Sequence, residues 1–174
     1  MTIKFKPEKG AILKLLRTSN VNKKLKIFER LDELPEKNKI KILMKILEDS
    51  SWMLREKAAY KLAAYGSRVV PRLKKLSIQG YWYTRAAACL ALGEIGNTKA
   101  LDEIVSLLLI DNNPTVLHEA SKALVKLAQA DPNKFCARLQ AKELDEVQME
   151  KILNVVKRED ADLFIELKNT LHDE

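Results

Sequence analysis

Two rows of cations are the residues best placed to do chemistry in this 174-residue chain. Lys37, Lys41 and Lys45 are spaced i, i+4, i+8, and Arg68, Arg72 and Lys75 are spaced i, i+4, i+7. On helices, each set shares one face. Lys99, Lys134 and Arg138 extend the series more weakly. A face of fixed positive charge attracts carboxylates or phosphates and makes no bonds itself. The aromatic run Tyr81-Trp82-Tyr83 lies just beyond the second row. Tyr81 and Tyr83 cannot both face a core, so one of them is expected at the surface. There it could anchor a partner's side chain or stack on a base.

Other reactive types are sparse. The two cysteines, Cys89 and Cys136, are 47 residues apart with no metal-ligand spacing, and both read as buried, reduced thiols. The histidines are His118 and His172. Such a set supplies neither a zinc site nor a catalytic constellation. No catalytic residue, metal or cofactor is therefore expected.

The elements that must position the cations come from an internal repeat. Trp52–Gly66 reads WMLREKAAYKLAAYG and Trp82–Gly96 reads WYTRAAACLALGEIG. Trp52, Arg55, Ala58, Leu62 and Gly66 align with Trp82, Arg85, Ala88, Leu92 and Gly96. Pro114–Ala128, PTVLHEASKALVKLA, matches again through Val116, Ala120, Ala123, Leu124, Leu127 and Ala128. Self-similarity at a period of roughly thirty residues marks a solenoid. Alanines at 58–59 and 87–88, with Ala120-Ser121, allow close helix approach, and Leu31, Leu62, Leu92 and Leu124 fill the seam between two layers.

The sequence predicts helices over 8–18, 21–34, 36–48, 52–65, about 68–78, 82–95, 98–110, 114–129, 133–140, 143–157 and 160–171. Pro35 ends the second of these. Ser50 or Ser51 caps the helix at Trp52, Asn97 or Thr98 the one that follows Gly96, and Asn112 or Asn113 the one at Pro114. Gly66 is placed where positive φ is needed. Pro71 must fall in a first turn, so its helix starts near Val69 or Val70. The acid-rich segment 143–174, whose apolar positions include Val147, Ile152, Val155, Val156, Leu163 and Leu167, has no alanine seam and reads as a terminal cap.

Gly and Pro number five each and charged residues make up 32%, which suits long helices and excludes disorder. No run approaches a membrane span, and MTIKFKPEKG has no signal-peptide core, so a cytoplasmic protein is expected. The net charge of +7 is polarised. The first 80 residues hold 20 Lys and Arg against 8 Asp and Glu, and the remainder 11 against 16.

Thr84-Arg85, Ala87-Ala88, Ala91-Leu92-Gly93 and Ile95-Gly96 resemble the HEAT repeat, in the bacterial variety called PBS-lyase-type HEAT-like repeats. The likeness is strong over about 50–129, weaker over 20–48 and poor beyond 143. Asn97 and Ser67 stand where that family usually has aspartate, and Leu117 where it has arginine. The resemblance implies an all-α superhelix, a HEAT-like α-solenoid of about four to five antiparallel helix pairs with terminal capping helices. The units are 1–19 (an N-terminal cap), 20–49, 50–80, 81–112, 113–142 and 143–174 (a divergent C-terminal cap pair) in a single domain. It also implies that second helices line a concave surface, which would bring the cation rows side by side.

Enzymes share this architecture. His118-Glu119 occupies the position of the His-Glu dyads that bind iron in deoxyhypusine hydroxylase. The equivalent positions here, Glu56-Lys57 and Ala86-Ala87, supply no second dyad. HEAT-type lyases attach bilins, but no residue identifies a bilin site. HEAT-like DNA glycosylases use a basic face, tryptophans and a carboxylate. Trp52 and Trp82 read instead as helix-entry packing, and Asp102 and Glu103 as ordinary surface acids. The sequence thus points to a non-enzymatic interaction scaffold. It would bind an acidic segment of another protein through Lys37, Lys41, Lys45, Arg68, Arg72, Lys75, Tyr81 and Tyr83. Nucleic-acid binding through the same rows is the alternative, and self-association of the basic and acidic halves a third. No membrane or small-molecule substrate is indicated.

Overall fold

The computed structural model describes residues 20–172, with Ile12 and Leu16 ahead of them. Among these residues there are ten α-helices and no strand. They are α1 (Val21–Glu29), α2 (Glu36–Ile46), α3 (Trp52–Ala63), α4 (Val70–Gln79), α5 (Trp82–Ile95), α6 (Leu101–Ile110), α7 (Pro114–Ala130), α8 (Pro132–Gln140), α9 (Glu146–Glu159) and α10 (Ala161–His172). Odd-numbered helices stack in one layer, with α5 between α3 and α7. Even-numbered helices form a second layer, with α6 between α4 and α8. This is an all-helical α-solenoid. The helix expected over 8–18 lies outside the described residues, apart from Ile12 and Leu16. Ile12 is buried and Leu16 packs against the core.

One apolar cluster runs from Ile12 to Leu167. Ala58, Ala59, Ala87, Ala88 and Ala120 are fully buried, as are Leu62, Leu92 and Leu124, and Leu31 almost so. Small side chains on α3, α5 and α7 let those helices approach closely, and the leucines fill the space behind them. No single pair could bury its faces alone, so stacking supplies the core.

The turns obey their local chemistry. Gly66 and Gly96 sit at φ +57° and +65°, a left-handed conformation that costs a β-carbon-bearing residue about 1–2 kcal/mol. Gly80 is ordinary in φ but crowded, since a Cβ there would lie 2.7 Å from the Leu76 carbonyl oxygen and 2.9 Å from Thr84. Asn113 caps α7, its carboxamide oxygen accepting from the N–H groups of Thr115 and Val116. Asp131 caps α8 by accepting from Lys134 N–H.

Four segments differ from the sequence expectation. The helix expected over 21–34 stops at Glu29 and tightens into a 3₁₀ turn over Arg30–Glu33. The three-residue period of that turn brings Arg30 and Glu33 into a two-pronged ion pair just before Pro35. The helix expected from residue 98 starts at Leu101, because the Asn97 side chain closes a 3₁₀ turn over Thr98–Ala100 first. The helix expected over 143–157 starts at Glu146. Glu143 is left-handed at φ +52°, and Asp145 and Gln148 form a reciprocal capping box. Val147, expected on its buried stripe, is 76% exposed in the first turn. At α3, Ser51 holds the N-cap position but its hydroxyl caps nothing. The Asp49 carboxylate instead accepts from Ser51 N–H.

Candidate functional site

The second-layer helices α2 and α4 leave a groove of about 700 Å³ between them, closed at one end by the start of α5. Periodicity decides what lines it. On α2, Ile40, Leu43 and Leu47 turn into the core and Lys41 and Lys45 toward the groove. On α4, Leu73 is buried and Arg72 and Lys75 face the groove. Met44 and Leu76 supply an apolar floor, and Tyr81 stands at the rim, 73% exposed. The buried hydroxyl of Thr84, another lining residue, has no hydrogen-bond partner among the described residues.

Five of the eight site residues read from the sequence therefore meet in one groove, namely Lys41, Lys45, Arg72, Lys75 and Tyr81. Lys37 is exposed on α2, one turn short of the lining. Arg68 belongs to the 3₁₀ turn Gly66–Arg68 rather than to α4, and pairs with Glu36. Tyr83 turns away from the groove. Its ring stacks on Tyr81 at 5.5 Å and lies 5.0 Å beneath the Arg55 guanidinium.

The charge in the groove is only partly compensated. Lys45 pairs with Glu48, the one acid on the lining. Arg72 and Lys75 have no ion-pair partner among the described residues. The row does not continue along the second layer. Lys74 pairs with Glu103, Arg138 and Lys142 with Asp102, and Lys134 with Asp131. Asp102 and Glu103, which read from sequence as plain surface acids, end the basic surface at α6.

Sequence reasoning missed a ladder of buried and half-buried ion pairs that ties successive units together. Lys24 binds Asp49 at 2.6 Å, with both side chains buried. Arg85 grips Asp111 with two nitrogens, at 2.8 and 3.0 Å, and donates to the Gly80 carbonyl. Lys24, Arg55 and Arg85 occupy one repeat position, and Asp49, Gly80 and Asp111 another, so the rung between them is broken at Gly80. Arg55 donates instead to the Asp49 carbonyl and lies over the rings of Trp52 and Tyr83, at 5.4 and 5.0 Å. Its Nε is buried without a partner among the described residues. Burial pulls this guanidinium below the usual arginine range, against the opposing pull of Asp49 and Tyr83.

A second cleft, of about 350 Å³, crosses the outer face of α3, α5 and α7. Its sequence signal was a shared face on α3, where Trp52, Glu56 and Tyr60 stand at i, i+4 and i+8. His118 is exposed beside it and Glu119 is buried in its wall. Among the described residues no group of three or more His, Cys, Asp or Glu is placed to hold a metal ion, and no helix is long and apolar enough to cross a membrane. Both cysteines are buried, and burial pushes the Cys89 thiol far up.

Residues 71–154 match the family model described as HEAT repeats. Over this stretch the chain is similar to HEAT repeats. The match runs from the first turn of α4 into α9 and so includes Trp82–Gly96 and Pro114–Ala128 but not Trp52–Gly66. No curated protein matches the sequence. Among solved structures, the chain is similar to one of the complex of CpcE and CpcF of phycocyanin lyase from Nostoc sp. PCC7120. The identity is 17% and the TM-score 0.49, over 96% of this chain and 71% of that one.

Proposed function

We propose that this HEAT-repeat protein is a non-catalytic scaffold whose α2–α4 groove holds an acidic, partly apolar segment of another protein. The observation that carries the reading is the convergence of Lys41, Arg72 and Lys75 on a groove floored by Met44 and Leu76. An excess of cations over carboxylates on the lining favours acidic side chains, and an apolar floor rewards an aliphatic or aromatic neighbour. Tyr81, rigid and exposed at the rim, suits an anchoring contact. The groove fits a nucleic-acid backbone less well. A phosphate track needs a continuing row of cations, whereas Glu48 interrupts this one and Asp102 and Glu103 end it. A cytoplasmic setting agrees with the buried, unbridged Cys89.

The test is fluorescence anisotropy with a labelled peptide of alternating glutamate and leucine, beside single- and double-stranded oligonucleotides, each at two salt concentrations. The peptide is expected to bind. The double reversal Lys41→Glu with Arg72→Glu should abolish that binding, and Lys37→Glu, outside the lining, should weaken it less than threefold. Oligonucleotide binding that exceeds the peptide's and falls steeply with salt would replace this reading with the nucleic-acid one. Peptide binding that survives the double reversal would place the site elsewhere.

A further inference from the structure

We infer that the cleft across α3, α5 and α7 is a receptor for an arginine side chain presented by another protein. This site lies on the opposite layer from the basic groove and does not depend on it.

The central observation is Glu119. Its residue is only 6% exposed, it lines the cleft, and among the described residues its carboxylate has neither a hydrogen bond nor an ion pair. Neither of its oxygens is sealed from solvent, so the carboxylate stays open to a cation entering the cleft. The cleft's own cations make no ion pair with it. Lys126 is engaged by Glu94, and Lys122, exposed one turn along α7 from Glu119, makes no ion pair among the described residues. Glu56 faces the same space from α3, and His118 stands next to Glu119 on the solvent side. Of the cleft's other acids, Glu159 is paired with Arg158. The unpaired remainder is thus two carboxylates against one ammonium.

The aromatic residues select the cation. Trp52 and Tyr60 border the cleft from α3, and Tyr60 is half exposed. A planar, weakly hydrated guanidinium stacks on such rings while its edge donates to a carboxylate, which a compact ammonium does less well. The protein already holds one guanidinium against aromatic rings, where Arg55 lies over Trp52 and Tyr83. The floor is low because α5 contributes Gly93 there, and the volume suits one long side chain rather than a whole helix.

The test uses the full chain with Trp82→Phe, which leaves Trp52 as the reporter. Four blocked pentapeptides are titrated, Gly-Gly-X-Gly-Gly with X arginine, lysine, citrulline or glutamate. Saturable change in Trp52 fluorescence is expected with the arginine peptide, at about millimolar affinity for so small a ligand. The lysine peptide should bind several-fold more weakly, and the citrulline and glutamate peptides not at all. Glu119→Gln should weaken arginine binding at least tenfold, and Tyr60→Ala, at an exposed position that leaves the fold alone, several-fold. No saturation with arginine, equal binding of citrulline, tighter binding of lysine, or unchanged affinity in both variants would each overturn the assignment.

Discussion

Replacing Gly93 by alanine should destabilise this protein, although the same change in an exposed helix would stabilise one. Gly93 lies in the last turn of α5, where it is buried against α7. An added Cβ would stand 2.8 Å from the Ala123 Cα and 3.1 Å from the Ala123 Cβ. Comfortable carbon–carbon contact needs about 3.5–4.0 Å, so the helices must part by roughly 0.7 Å or more. Overpacking of this kind costs about 1–3 kcal/mol. Here the upper half of that range applies, because the obstructing atom is backbone rather than the end of a flexible side chain. The better helix propensity of alanine returns about 1 kcal/mol. The net loss is therefore about 1–2 kcal/mol, or roughly 2–8 °C in Tm for a chain of this size. Urea unfolding at 25 °C should show a lower midpoint with an unchanged slope. In an Ala123→Gly background one of the two obstructing atoms is gone, so the penalty should shrink by about 0.5 kcal/mol or more. A Gly93→Ala protein as stable as wild type, or a penalty that is strictly additive, would refute the close approach of α5 and α7.

Three further outcomes rest on named contacts. Ala88→Glu places a charge at a fully buried point of α5 and should cost more than about 4 kcal/mol, enough to unfold the central units; a melt within a degree or two of wild type would contradict this. Gln79→Asp adds an acid at an exposed position of the groove lining and should change stability by less than about 0.5 kcal/mol in urea unfolding, whereas a larger loss would show that Gln79 supports the fold. Glu119 tests linkage. Burial raises its carboxyl above the usual range, reinforced by Glu56 and opposed by Lys122, His118 and Lys126. Between the unfolded value and the raised one, the folded protein holds a proton that the unfolded chain has released, so stability rises as pH falls through that window. Glu119→Gln should be the more stable protein above the window and lose that advantage below it, as read by thermal melts from about pH 4 to about pH 8, a span that brackets the carboxylate range.

Repeat architecture was legible because it depends on types that recur in place. Alanines at 58, 88 and 120 and leucines at 62, 92 and 124 have no alternative environment in which all could be buried, so register alone located the seam. Helix starts with a side-chain cap and a following proline, at Asn113-Pro114 and Asp131-Pro132, were legible for the same local reason. The segment 143–146 was not. Its acids are compatible with a helical first turn until Asp145 and Gln148 are seen to cap each other. Charge rows were half legible. Spacing put Lys41 with Lys45 and Arg72 with Lys75. It could not show that the turn before α4 removes Arg68. Nor could it show that Asp102 and Glu103 neutralise Lys74, Arg138 and Lys142. Both depend on how neighbouring units stack.

The broken rung at Gly80 connects these features. In the units on either side, a carboxylate from the loop after the second helix closes on a cation of the first helix. At Gly80 no carboxylate is present, and Tyr81 follows it directly. Arg55 is then covered by rings, with Tyr83 beneath it and Tyr81 stacked on Tyr83 at 17° between planes. That stack fixes the position of Tyr81 at the groove rim. An aspartate at 80 would also have placed an acid on the groove lining and reduced its positive charge. The same departure from the repeat therefore removes an internal ion pair, keeps the groove basic and sets an aromatic residue at its edge. The Gln79→Asp protein tests the groove charge apart from the rung. If the groove holds an acidic segment, it should lose affinity for the glutamate–leucine peptide with little change in stability.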